Sequence, residues 1–223
     1  MRGSRSWLAV IALLGAVTAA YADGPGGYRP KSPGPVPLSE QQAIDAYTAG
    51  YASILRAEHA ENLAAASSDD AERQAALRKA QEAYQLSLPH FTEAGRLDSS
   101  MHEAYTYLGF ANRKLGRYDE ALRAYAQALK INPDAVHAIE YQAEALLALN
   151  RIDDVRFNYL RLYALDQQQA AKLLQAMRAW METNKGKPPT GIDMPALAEW
   201  MESQAASLKV VPSLKVVPGE KVW

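Results

Sequence analysis

The chain contains no cysteine. That absence removes disulfides, thiolate metal sites, cysteine nucleophiles and lipid anchoring through a cysteine. A charge surplus is also missing, since 24 basic residues stand against 25 acidic ones, a net of −1. A chain so balanced has no general affinity for nucleic acid or for an anionic membrane. Beyond residue 22, no apolar run approaches the roughly 20 residues needed to cross hydrocarbon. There is no glycine-rich phosphate loop, nucleophile elbow or dinucleotide fingerprint, so neither an enzyme activity nor a cofactor is expected. What is present is an ordinary globular composition, 48% hydrophobic and 22% charged over 223 residues. That is enough for one domain with terminal extensions.

Residues 1–22 have the three parts of a secretory signal. Arg2 and Arg5 form the basic start, Trp7 to Val17 the apolar stretch, and Ala20-Tyr21-Ala22 the small-x-small cleavage site. Cleavage after Ala22 would leave 22 basic and 25 acidic residues, a net of −3. The expectation is a periplasmic or secreted protein with no stable membrane insertion once the signal is removed. An uncleaved membrane anchor is the alternative. Residues 23–38 are rich in proline and glycine, which remove backbone donors and cost entropy, so they read as a linker.

A pattern recurs from residue 102 onward. Tyr105, Leu108 and Gly109 are followed by Ala121, Tyr125, Ala128 and Pro133. This spacing resembles the tetratricopeptide repeat, with Asn112 standing where that family usually has an aromatic residue. The resemblance implies two antiparallel helices per 34 residues, with Gly109 and Ala128 at the closest helix crossings. Gly116 is suited to the left-handed turn between them. Asp119 and Glu120 suit the positive end of the second helix.

A weaker copy lies 34 residues further on. Leu149-Asn150-Arg151 replaces Leu115-Gly116-Arg117, with asparagine the next-best residue for a left-handed turn. Tyr159 replaces Tyr125 and Ala143 replaces Gly109. Leu162 in place of Ala128, and Gln142 in place of Leu108, suggest looser packing toward the C-terminal end. Upstream, Phe91, Ala94 and Leu97 match half a copy, so Pro89 to Leu97 reads as the end of a second helix. Two long helical segments precede it, Ile44 to Ala66 and Ala71 to Leu88, broken and capped at Ser67-Ser68-Asp69-Asp70.

The expected fold is therefore all-α, a right-handed solenoid of antiparallel helix pairs. About three repeats are expected: a degenerate one within 39–101, a clear one at 102–135 and a degenerate one at 136–169. Capping helices follow at 170–206, with Leu173, Leu174, Met177 and Trp180 on one face. Residues 207–223 carry a duplicated hexapeptide, Ser-Leu-Lys-Val-Val-Pro, and read as a disordered tail.

The four histidines are His59, His90, His102 and His137. His102 and His137 start successive first helices, where a metal site would also need Glu103 or Glu140, and exposed histidines near helix starts are the plainer reading. Glu58 and Glu61 beside His59 lack a second ligand at metal spacing. Asp69-Asp70 and Asp153-Asp154 fit helix N-terminal acids better than a catalytic pair.

The resemblance implies a groove lined by the first helices, in which a protein or peptide partner lies. Carried onto this chain, the groove residues are Glu103, Thr106, Phe110, Arg113 and Lys114, then His137, Glu140, Glu144 and Leu147. Phe110 and Glu144 stand where chaperone-binding members have a carboxylate clamp, so no such clamp is expected. An apolar anchor with polar edges is expected instead. The reading is a non-catalytic adaptor. The alternatives are a homo-oligomer using a C-terminal face with Trp200 or Trp223, and an accessory subunit of an envelope enzyme.

Overall fold

A computed structural model describes residues 37–208. The signal segment, all but the last two residues of the linker and the duplicated hexapeptides from residue 209 onward lie outside the described residues. Eight helices and no strand are present among the described residues: α1 (Leu38–Ala66), α2 (Asp70–Leu97), α3 (His102–Lys114), α4 (Tyr118–Ile131), α5 (Val136–Ala148), α6 (Ile152–Leu165), α7 (Gln167–Asn184) and α8 (Met194–Ser207). The fold is all-α, built of helix pairs in chain order.

The local signals act where the sequence places them. Asp69 caps α2 by accepting from the Glu72 amide at 2.8 Å, and Ser67 accepts from the Asp69 amide at 3.1 Å. Gly116 adopts φ +74° and Asn150 φ +59°, so both turns use the left-handed conformation. In each, the next amide reaches back five residues, Arg117 to the Asn112 carbonyl and Arg151 to that of Leu146. This closing bond satisfies carbonyls that the helix end leaves without partners.

The opening pair differs in scale from the others. α1 and α2 have 29 and 28 residues, whereas α3 to α6 have 13 or 14. α2 runs unbroken through Pro89, joining the two segments read separately in the sequence. Pro89 removes one helical bond, to the Gln85 carbonyl, but both residues are exposed, so water can hydrate that carbonyl.

Small residues let the helices approach. A β-carbon on Gly50 would meet the Phe91 ring, one on Gly95 the Tyr105 ring, and one on Gly109 the Tyr125 ring. Tyr84, Phe91, Tyr125 and Tyr159 are fully buried. Phe91 stabilises the fold by roughly 1.5–3 kcal/mol through removal of apolar surface from water, and the three tyrosines contribute in the same way less the cost of burying their hydroxyls. Leu162 is also completely buried and packs with Ala170, Leu173 and Leu174. The expected loosening at this end is corrected: the larger side chain fills space against α7 rather than disturbing a crossing. Gln142 likewise accepts from Asn158 at 3.0 Å. α7 buries Leu173, Leu174, Met177 and Trp180, and Trp200 of α8 stands edge-on to Tyr159 at 5.3 Å.

The packing pattern separates the two sides of the array. Among the described residues, α1 packs on α3, α3 on α5 and α5 on α7, while α2, α4 and α6 make no such contacts with one another. The first helices of the pairs therefore converge on one side and present a shared face there.

Candidate functional site

The predicted groove residues lie on α3 and α5, at different depths. Phe110 is 8% exposed and lies beneath the surface, its ring 6.0 Å from Tyr84, 6.1 Å from Tyr107 and 5.0 Å from Tyr141. The expectation of Phe110 as an open apolar anchor is corrected, because α2 and α5 bring Tyr84 and Tyr141 against it while Tyr107 flanks it on α3. Thr106 is buried too, and its hydroxyl donates to the His102 carbonyl at 2.9 Å, four residues back in the same helix. Leu147 belongs to the core.

Arg113 ties α3 to α5. Its guanidinium lies 2.7 Å from the Glu144 carboxylate, with side-chain exposures of 4% and 12%. It also sits 5.3 Å from the Phe110 ring centre and 5.6 Å from that of Tyr141. Burial pushes the Glu144 carboxyl up to about 7 although Arg113 pulls it down, and Glu140 adds to the rise. Lys114 makes the equivalent tie to α1, 2.8 Å from Glu61 and 5.7 Å from the centre of the Tyr84 ring. Glu103 is exposed, Glu140 is buried, and His137 is half-buried and stacked on Tyr141 at 5.8 Å.

Sequence reasoning missed the most prominent part of this face. Tyr47 and Tyr51 of α1 and Tyr107 of α3 form a ring cluster, Tyr51 and Tyr107 at 5.2 Å and Tyr47 and Tyr107 at 5.9 Å. Phe110 links it to Tyr141 and His137 of α5. All four tyrosines are partly buried, each with some surface open. The spacing of Tyr47 and Tyr51, four apart on one helix, was the available signal.

The candidate metal groupings do not assemble. His102 meets the Asn132 side chain at 3.0 Å and Glu103 at 3.3 Å, while His137 meets Glu140 at 3.5 Å. Glu58 and Glu61 turn toward α3, and His59 is exposed. Among the described residues, no three histidine, aspartate or glutamate side chains converge in a way that could hold a metal ion. Asp70 pairs with Arg73 at 2.5 Å and Asp154 with Arg151 at 2.8 Å, both at helix starts.

Two other surfaces matter. Trp200 is held by Tyr159 and by Arg156, whose guanidinium is 4.8 Å from its ring centre, and Trp223 lies outside the described residues. On the outer side of α6, Phe157 is 64% exposed and Leu160 is 52% exposed. No helix among the described residues is long and apolar enough to cross a membrane.

Residues 102–135 match the family model of the tetratricopeptide repeat. A search of curated proteins found no match to the chain.

Proposed function

For a chain that is a tetratricopeptide-repeat protein, matched at residues 102–135 within an all-helical fold, we propose a non-catalytic adaptor that binds a segment of a partner protein along α1, α3 and α5. Repeats of this family generally mediate protein–protein interaction. The observation that carries the reading here is the aromatic cluster of Tyr47, Tyr51, Tyr107 and Tyr141, spread over three helices and partly open. Aromatic rings set among polar groups supply contact area at low entropic cost, as interface centres do. Glu103 and His137 form the rim, with Lys114 and Glu144 half-sunk beside them, while Thr106, Phe110, Arg113 and Glu140 hold the floor in shape. Residues 1–22 support a periplasmic or secreted location, which makes an envelope complex the natural setting.

A second reading rests on α6. Phe157 and Leu160 are exposed three residues apart on one helix, which favours self-association through the outer side. The two readings separate by photocrosslinking in intact cells, with a benzoylphenylalanine placed at position 51 in one variant, where it keeps an aromatic ring in the cluster, and at position 157 in another. The adaptor reading expects a heterologous partner from position 51. Self-crosslinks from position 157, with none from 51, would instead make the protein a structural oligomer.

A further inference from the structure

The face of α1, α3 and α5 carries a repeated local arrangement, a carboxylate beside aromatic rings. In two places the chain completes it with its own cation. Arg113 lies between Glu144 and the rings of Phe110 and Tyr141, and Lys114 lies between Glu61 and Tyr84. Elsewhere the carboxylate and rings are present, but among the described residues no lysine or arginine is within ion-pair distance. Glu103 lies close enough to Tyr47 to raise its hydroxyl pKa, second only to burial. Glu58 and Glu140 act on Tyr141 in the same way, there beside the Arg113 guanidinium 5.6 Å from the ring centre. Glu103 and Glu140 each meet a histidine ring, His102 at 3.3 Å and His137 at 3.5 Å.

The charges on this face do not cancel. Glu58, Glu61, Glu103, Glu140 and Glu144 face Arg113 and Lys114, with Lys172 of α7 near enough to act on Glu144. Two of the three cations are already engaged in close pairs. An incoming acidic segment would meet like charge, and a neutral one would leave the surplus carboxylates uncompensated. A guanidinium or ammonium, by contrast, gains from both the carboxylate and the ring face.

We propose that the segment recognised on this face is basic, an extended peptide whose arginine or lysine side chains seat on Tyr47, Tyr51 and Tyr107 opposite Glu103, with the carboxylates of Glu58 and Glu140 adding to the negative field. This rests on the adaptor reading and narrows it to one class of partner. With neighbouring helices about 8–10 Å apart, crossing from α1 to α5 takes about six extended residues. Two or three basic residues in that length would meet the face.

The test uses the full chain and three amidated octapeptides, alternating arginine–alanine, citrulline–alanine and glutamate–alanine, with binding read by calorimetry. The arginine peptide should bind, and Glu103→Gln and Tyr51→Leu should each weaken it about 3- to 10-fold. Asp119→Asn, on the outward-facing α4, should leave it unchanged. Equal binding of the citrulline or glutamate peptide would overturn the proposal. So would an Asp119→Asn loss as large as that of Glu103→Gln, which would mean diffuse charge attraction. The crosslinked partner of position 51 separates the two layers, since that variant keeps Glu103. An acidic or neutral segment captured there leaves the adaptor standing and removes the basic partner, whereas no heterologous capture removes both.

Discussion

Tyr125 lies across Gly109 so closely that a β-carbon on Gly109 would fall 2.6 Å from the ring's Cδ1 atom. The ring is fully buried, so it cannot swing away into solvent. Gly109→Ala gains about 1 kcal/mol of helix propensity but forces apart a packed crossing, which typically costs about 1–3 kcal/mol. With the ring this close the cost lies toward the upper end, so the expected net result is a loss of up to about 2 kcal/mol in urea unfolding, seen as a lower midpoint with unchanged slope. Unchanged or raised stability would show that α3 and α4 have slack at this crossing.

Arg113 and Glu144 predict a pH dependence. Arg113 is buried and the Glu144 side chain is only 12% exposed, and the groups acting on Glu144 are Arg113, Glu140, Lys114 and Lys172. Burial raises the folded pKa of Glu144 from an ordinary carboxylate value to about 7. The folded state therefore holds this proton more tightly than the unfolded chain, and the associated stability is present at low pH and lost as pH rises. Between about pH 5 and pH 8 the melting temperature should fall, and Glu144→Gln should flatten part of that fall. Arg113→Ala should cost about 3–5 kcal/mol, since it leaves a buried carboxylate without its cation. A Glu144→Gln profile parallel to that of the unaltered protein would remove Glu144 as the source.

Phe110 and Glu103 share a helix face but should behave differently on substitution. Phe110 is covered by Tyr84, Tyr107 and Tyr141, so Phe110→Glu buries a charge among rings and should abolish cooperative unfolding or cut stability by several kcal/mol. Glu103 is exposed, and Glu103→Gln should change stability by less than about 0.5 kcal/mol. Thermal melts of the two variants check this. A cooperative, near-normal melt for Phe110→Glu would mean the ring is accessible after all.

The contrast shows which features were legible in the sequence. The turns at Gly116 and Asn150 and the cap at Asp69 depend on a few neighbouring residues, so their chemistry can be read directly. The buried face of α7 is legible for a similar reason, because a helical period alone defines it. The depth of Phe110 is different, since it is set by where α2 brings Tyr84 and α5 brings Tyr141. Likewise, Tyr47 and Tyr51 meet Tyr107 only because of the register of a hairpin twice the usual length. No local pattern encodes that register. Leu162 was misread for the same reason, because its partners are on α7, outside the repeat being compared.

Asn150 does two things at once, and this makes it separable by substitution. Its backbone occupies the left-handed region at φ +59°, and its side-chain oxygen accepts from the Trp180 indole at 3.2 Å, tying the α5–α6 turn to α7. Asn150→Gly relieves the backbone but loses the bond, and so should leave stability within about 1 kcal/mol. Asn150→Ala loses the bond and keeps the strain, which should cost about 2 kcal/mol. Asn150→Asp keeps both the conformation and the acceptor, and should stay within about 1 kcal/mol of the original. Chemical denaturation of the three variants, with tryptophan fluorescence reporting on the α7 contact, ranks the two contributions. If alanine and glycine are equally harmful, the bond to Trp180 dominates; if glycine is neutral, the turn conformation does.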